Sequence, residues 1–365
     1  MANTVFSKIW LIGFIIFNLL NHSVKAQDDT LEDFDDFDPS MFEEVGGATQ
    51  SFCTNKVLGQ QPTPLISFGV DYQGGSTLST DAFNGYPAGS SDIGFNSGFR
   101  LMTNIPILSR NNILINWGLS YVQMSYHFNQ DNQVNTFHEN LRNHSLKWFN
   151  TNLTVFKPLN ENRFLLFQLG GEFNGDYSFS NMPAFDQIRL PAAAIYGFKP
   201  TDNLMWGVGI SHTYLGGARN LLPVIYYYQT FANPKWGMEA LFPARVQARY
   251  RWDSRSLLMM GYQVEGATYR LSNIDQYDFN NTSQPNVFQD QEVELRRSEI
   301  RLGLSYNRGL NDFIWIGVQA GYRINYQFNL DDSEFFRGFD DADYFAENEL
   351  SNTFYAQFTL SLVSP

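Results

Sequence analysis

From Ala244 to Trp252 the chain alternates Arg245, Gln247, Arg249 and Arg251 with Ala244, Val246, Ala248, Tyr250 and Trp252. In an extended segment successive side chains point to opposite faces, so three guanidinium groups share one side. The next segment sets Gln263 and Glu265 against Leu258, Met260, Tyr262 and Val264. Glu299, Arg301 and Arg323 carry charge one and two segments further on, and Glu172 comes from a segment well away in sequence. If Asp253 meets Leu257 across a three-residue turn, Glu265 stands beside Arg245. Such a set has two uses. Lining a narrow wet channel, it makes a charged constriction that selects solutes; packed together, it is a ladder of ion pairs that fills and stiffens a closed barrel. The residues alone leave both open.

Other reactive types point to no centre. Ser211 and His212 are the nearest approach to the serine and histidine of a membrane-rim hydrolase, yet neighbours on a strand face opposite ways. His212 is therefore expected as an interfacial aromatic, and no catalytic residue is assigned. His127, His138 and His144 match no metal-ligand spacing. Cys53 is the only cysteine, which excludes an internal disulfide, and it lies too far along the chain to be a lipoprotein's acylated first residue. The acidic, Phe-rich stretch Asp331 to Glu347 lacks the spacing and glycine of a calcium loop and is expected as a hydrated surface loop. No cofactor and no metal is expected.

These residues need strands to position them. From Leu65 onward the chain breaks into alternating stretches, beginning near Leu65, Asp92, Ile113, His144, Arg163, Gln187, Asn203, Leu221, Lys235, Ala244, Ser256, Glu292, Asp312 and Ser351. In the stretch from Asp312, Ile314, Ile316, Val318, Ala320, Tyr322, Ile324, Tyr326 and Phe328 are expected on one face. Gly317, Gln319, Gly321, Arg323, Asn325 and Gln327 then take the other. Short connections such as 158–162 and 308–311 alternate with long ones such as 129–142 and 329–350. That order suits an all-β, closed antiparallel transmembrane β-barrel of about 14 strands, with short periplasmic turns and long outer loops. Twelve strands is the alternative, if the tight hairpin at Leu241, Phe242 and Pro243 is one bent strand. A large sheet closed around a polar row leaves its apolar face outward, and lipid is what satisfies that face.

Composition agrees. Aromatic residues make up 16% of the 365-residue chain against 17% charged, a balance that favours strands over helices. Lys8 followed by the apolar run Ile9 to Leu20 and by Val24-Lys25-Ala26 predicts a signal peptide over 1–26, cut before Gln27, and hence export to the cell outer membrane. The run falls short of the roughly 20 residues a membrane helix needs. Loss of Lys8 and Lys25 takes the formal net charge from −13 to −15, which excludes nucleic acid as a partner. Residues 27–64 are expected as an acidic, largely disordered periplasmic segment, and 65–365 as the barrel. Expected partners are membrane lipid, the outer-membrane assembly machinery, a periplasmic protein that docks on the acidic segment, and small solutes.

The stretch LLPVIYYYQTFANPKWGMEALFPARVQARYRW, followed by LMMGYQVEGATYRL, resembles a family of uncharacterised bacterial outer-membrane β-barrel proteins. The likeness spans most of Leu65 to Val363 and is densest from Leu221 to Leu271. It implies fold and location and brings no functional residues. Barrel proteins of this kind end on an aromatic residue, whereas this chain ends Leu362-Val363-Ser364-Pro365, so Phe358 or Leu362 would take that part. Porin-like passage or binding of small solutes is the leading expectation, a closed structural or assembly barrel the second, and a rim hydrolase the third.

Overall fold

The computed structural model describes residues 53–83, 88–130, 135–178, 188–214, 220–274, 293–331, 344 and 346–364. All belong to the compact unit Ser51–Pro365. The expected signal peptide, the charged part of the N-terminal segment and most of the acidic loop after Asp331 lie outside them.

The strands are β1 (Pro64–Gln73), β2 (Ser76–Thr80), β3 (Gly89–Arg110), β4 (Ile113–Phe128), β5 (Leu146–Asn160) and β6 (Arg163–Gly175). Then follow β7 (Ala192–Thr201), β8 (Leu204–Thr213), β9 (Asn220–Thr230), β10 (Trp236–Phe242) and β11 (Arg245–Asp253). The last are β12 (Ser256–Arg270), β13 (Glu294–Gly309), β14 (Ile314–Asp331), β15 (Asn348–Leu350) and β16 (Thr353–Val363). Helix α1 spans Thr136–Asn143. Apart from β2 and β15, strands that follow one another in sequence pair antiparallel, and β1 closes the wall by pairing with β16 on one edge and β3 on the other. With β2 and β15 set aside as a short pair beyond the wall, fourteen strands form a closed barrel. The twelve-strand alternative fails because β10 and β11 are separate strands, paired from Trp236↔Tyr250 to Leu241↔Arg245.

Which face looks out follows from alternation. On β1, Ile66, Phe68, Val70 and Tyr72 are exposed, while Asp71 and Gln73 are buried. On β14 and β16, Val318, Tyr322, Phe354, Leu360 and Leu362 are exposed, and Phe354 reaches 72%. A wall that is apolar outside and charged inside fits hydrocarbon, not water. Trp117, Trp206, Trp236 and Trp252 are on this outer face, whereas Trp315 is buried.

Two bulges correct the simple alternation. An irregularity between Ser298 and Glu299 on β13 pairs Arg297 with Phe328, so Phe328, expected outside, is 1% exposed and packs within. The β11–β12 turn is tighter than expected: Asp253 pairs with Ser256, with an irregularity between Arg251 and Asp253. Gln263 therefore stands opposite Arg245, and Glu265 falls two residues beyond it.

Both ends of the interior hold apolar clusters. At the long-loop end α1 packs Phe137 and Leu141 against Leu78, Tyr126, Leu271 and Phe328. The Asn135 side chain caps the helix by accepting from the His138 amide at 3.0 Å. At the short-turn end residues 53–60, the ordered tail of the segment expected to be largely disordered, lie in the mouth. Cys53 and Val57 pack on Phe156, Phe164, Met205 and Tyr228. The Leu58 amide bonds to Asp202 O at 2.9 Å, Lys199 Nζ donates to Lys56 O at 2.9 Å, and Arg251 donates to Gln60 O at 3.2 Å.

Candidate functional site

Mid-barrel, the charges converge. Glu299 on β13 accepts from Arg297 at 2.6 Å and Arg301 at 2.7 Å, and lies 3.7 Å from Arg323 on β14. Arg301 also reaches Glu265 on β12 at 3.2 Å. Arg100 on β3 donates to Glu265 at 2.8 Å and to Asp71 on β1. Arg323 donates to Gln73, which accepts from Asn96 at 3.0 Å. Glu299 and Arg323 are completely buried. Each ion would cost several kcal/mol to desolvate alone, so the cluster stands because every carboxylate meets more than one guanidinium. Charges held this way brace the wall across the lumen.

The eight residues singled out from sequence therefore separate. Glu265, Glu299, Arg301 and Arg323 belong to the central network. Arg249 is nearer the short-turn mouth, where it donates to Glu239 at 2.9 Å. Gly237 allows that placement, since a Cβ there would stand 2.5 Å from the Arg249 guanidinium. Arg251 is in the same mouth, bonded to Gln60 O. Arg245 bonds to the Tyr228 hydroxyl at 3.1 Å. Glu172 on β6 accepts from the Trp148 indole and faces a cavity.

Asp71, Gln73, Arg100 and Arg297 complete the network and were not singled out. Alternation could have found the first three. Asp71 and Gln73 share a face with Ser67 and Gly69 between four outward apolar residues, and Arg100 follows Asn96 and Gly98 on one face of β3. Arg297 was equally within reach, since it shares one face of β13 with Glu299 and Arg301.

Beside the network lies a cavity of about 420 Å3. Its polar lining includes Asn150, Asn152, Gln168, Glu172, Ser211 and Gln263, its apolar lining Met102, Val122, Met124, Trp148, Ala193 and Ala267. Space of this size and mixed lining is typical of a small-molecule site. Ser211 faces it. His212, on the other face of β8, bonds through Nδ1 to Leu190 O at 2.9 Å and meets the Tyr214 ring edge-on.

The other histidines also have local partners. His138 is fully buried on α1, with Nε2 2.7 Å from Thr80 Oγ1 and Nδ1 2.7 Å from Ser91 Oγ. Burial holds it largely neutral, its pKa lowered to about 4. His127 faces outward and bonds to Ser97 at 2.8 Å. At the other mouth, burial raises the Cys53 thiol and lowers the Lys56 ammonium from their ordinary ranges. Among the described residues no three His, Cys, Asp or Glu side chains gather as a metal site.

Comparison with known proteins places residues 59–362 in a match to a domain of unknown function, DUF6268. No curated protein matches the chain. Among solved structures, a Pseudomonas aeruginosa FadL homologue is 11% identical with a TM-score of 0.35, covering 81% of this chain and 89% of its own. The Pseudomonas putida toluene transporter TodX is 8% identical with a TM-score of 0.30, covering 87% and 95%. The Escherichia coli outer-membrane protease OmpT is 10% identical with a TM-score of 0.28, covering 83% and 98%. Scores and identities this low carry no function across.

Proposed function

The chain belongs to the DUF6268 family, whose function is unknown, and we propose that it is an exported outer-membrane barrel that binds a small solute inside its lumen and passes it only by rearrangement. The observation that carries this reading is the cavity of about 420 Å3 beside the buried charge network. An open porin keeps a continuous wet path. Here Arg100 and Glu265 join opposite parts of the wall, and each mouth holds a packed apolar cluster.

The same bracing favours a second reading, a barrel with a structural or assembly role and no solute. Binding separates the two. The full chain in liposomes is titrated with 1-naphthol, followed by its emission anisotropy against protein-free liposomes of the same lipid. Solute binding predicts a saturable, one-to-one component that is lost when Ala193→Trp fills the cavity. A signal no larger than lipid partitioning would leave the structural reading.

A further inference from the structure

Taking that lumen cavity as the binding site, we infer that its ligand is an amphiphile with no negative charge from the outer leaflet, admitted sideways through the wall between β6 and β12. The first observation is an interval in the backbone ladder. β6 pairs with β7 only from Arg163 to Leu169; beyond that come one bond from Gly170 N to Pro191 O at 2.8 Å and one isolated bridge between Glu172 and Arg189. β12 pairs with β11 only as far as Gln263, and a last bond joins Val264 N to Ala244 O at 2.8 Å. From Glu265 to Tyr269, β12 is laddered among the described residues to β13 alone. β6 and β12 meet again at Gly175 and Arg270. Strand length explains the interval: β7 to β11 have 7 to 11 residues, β12 has 15, and the short strands stop before the long ones do.

Among the described residues, the Arg189 side chain crosses the interval. Arg189 exchanges backbone bonds with Glu172 at 2.9 and 3.0 Å. Its guanidinium donates to Thr268 O on β12 at 2.9 Å and to the Glu294 carboxylate on β13, and it lies 5.6 Å over the Tyr214 ring. The cavity sits in the same interval. An intact wall would line it with inward residues only, yet Ala192, His212 and Val264, which alternate outward, line it too, together with Pro191 and Tyr214.

A lipid-side approach adjoins the cavity from the β6 side of the interval. An apolar groove of about 380 Å3 on the outer face is walled by Leu153, Phe167, Leu169, Ile210 and Leu221. It shares Gln168, Ala192, Ala193 and His212 with the cavity. Leu169 is 59% and Leu221 64% exposed, a surface suited to acyl chains. Both guanidinium groups of the cavity already face carboxylates, Arg100 with Glu265 and Arg297 with Glu299, while the Glu172 carboxylate accepts from the neutral Trp148 indole. An anionic head would enter without a counter-ion and beside Glu172, at a steep desolvation cost. Asn150, Gln168 and Ser211 suit a hydroxyl, amide or carbonyl head, and at about 30 Å3 per atom the space holds roughly ten to fifteen non-hydrogen atoms.

The test is stopped-flow binding of 1-naphthol to the full chain in liposomes, with 1-naphthyl phosphate as the charged counterpart. Removing the crossing side chain with Arg189→Ala should raise the association rate at least threefold, Val57→Asp in the short-turn mouth should not, and the phosphate should fail to compete. If Arg189→Ala does not give the heat-modifiable electrophoretic mobility of a folded barrel, Arg189→Lys replaces it. Lysine cannot span both Thr268 O and Glu294, so the same rise is expected. A rate that follows Val57→Asp and ignores both Arg189 variants would overturn the sideways route. Competition by the phosphate at similar concentration would overturn the exclusion of anionic heads. Absence of any saturable 1-naphthol signal would instead remove the proposed function on which the inference rests.

Discussion

Arg100 on β3 and Glu265 on β12 meet at 2.8 Å with four strands of wall, β13, β14, β16 and β1, between them. The bond is a chord across the lumen, and it divides the interior into a paired region and a cavity. Four expectations follow from that division.

Removing the central carboxylate should be costly. Glu299→Gln leaves Arg297, Arg301 and Arg323 buried with one fewer negative charge among them. Breaking a buried pair from one side costs about 3–5 kcal/mol. A urea titration of the refolded barrel in detergent should show a lower midpoint by a corresponding amount. A midpoint within error of the wild type would mean that water already reaches these groups.

The outer face should reject charge and the inner face accept it. Val318 on β14 is half exposed toward lipid, and its neighbour Gln319 turns inward. Val318→Arg should cost about 2–4 kcal/mol near the bilayer midplane. Gln319→Arg should cost clearly less. Equal losses would argue against the inside-out arrangement.

The α1 plug should be acid-labile. His138 has its pKa lowered to about 4 from an ordinary 6.5. The opened state therefore binds more protons between those values, and stability of the plug falls as pH drops through this window and is complete above it. A shift of that size corresponds to about 3 kcal/mol for local opening. Hydrogen exchange at residues 136–143 should quicken from pH 7 to pH 4 beyond the intrinsic trend, and His138→Asn should flatten that response. An unchanged protection pattern would mean that the Thr80 and Ser91 hydroxyls hold the ring in either charge state.

The wall was legible in the sequence because lipid imposes a strict two-residue period: the fourteen stretches expected from Leu65 onward correspond one by one to the fourteen wall strands. The inward faces of Arg245, Arg249, Glu265 and Arg323 followed from the same period. What alternation cannot carry is a change of phase, which is why the bulge facing Ser298 and Glu299 concealed Phe328. It also says nothing of partners across the lumen, since the chord from Arg100 to Glu265 depends on closure and strand count. Helix α1 was hidden in a stretch read as loop, because its cap Asn135 and buried Phe137 and Leu141 make sense only against the barrel's own interior. Residues 53–60 were hidden for a related reason: two apolar side chains, Cys53 and Val57, hold them in the mouth, too few to register as a pattern.

The central claim is a lumen closed by its own side chains and by residues 53–60, and single-channel recording in planar bilayers tests it most directly. The full chain should pass no steady current, whereas Val57→Asp, which puts a charge among Phe156, Phe164 and Tyr228, should give resolved conductance steps. Stable ohmic steps from the unaltered chain, of the size a water-filled fourteen-stranded pore would give, would contradict it.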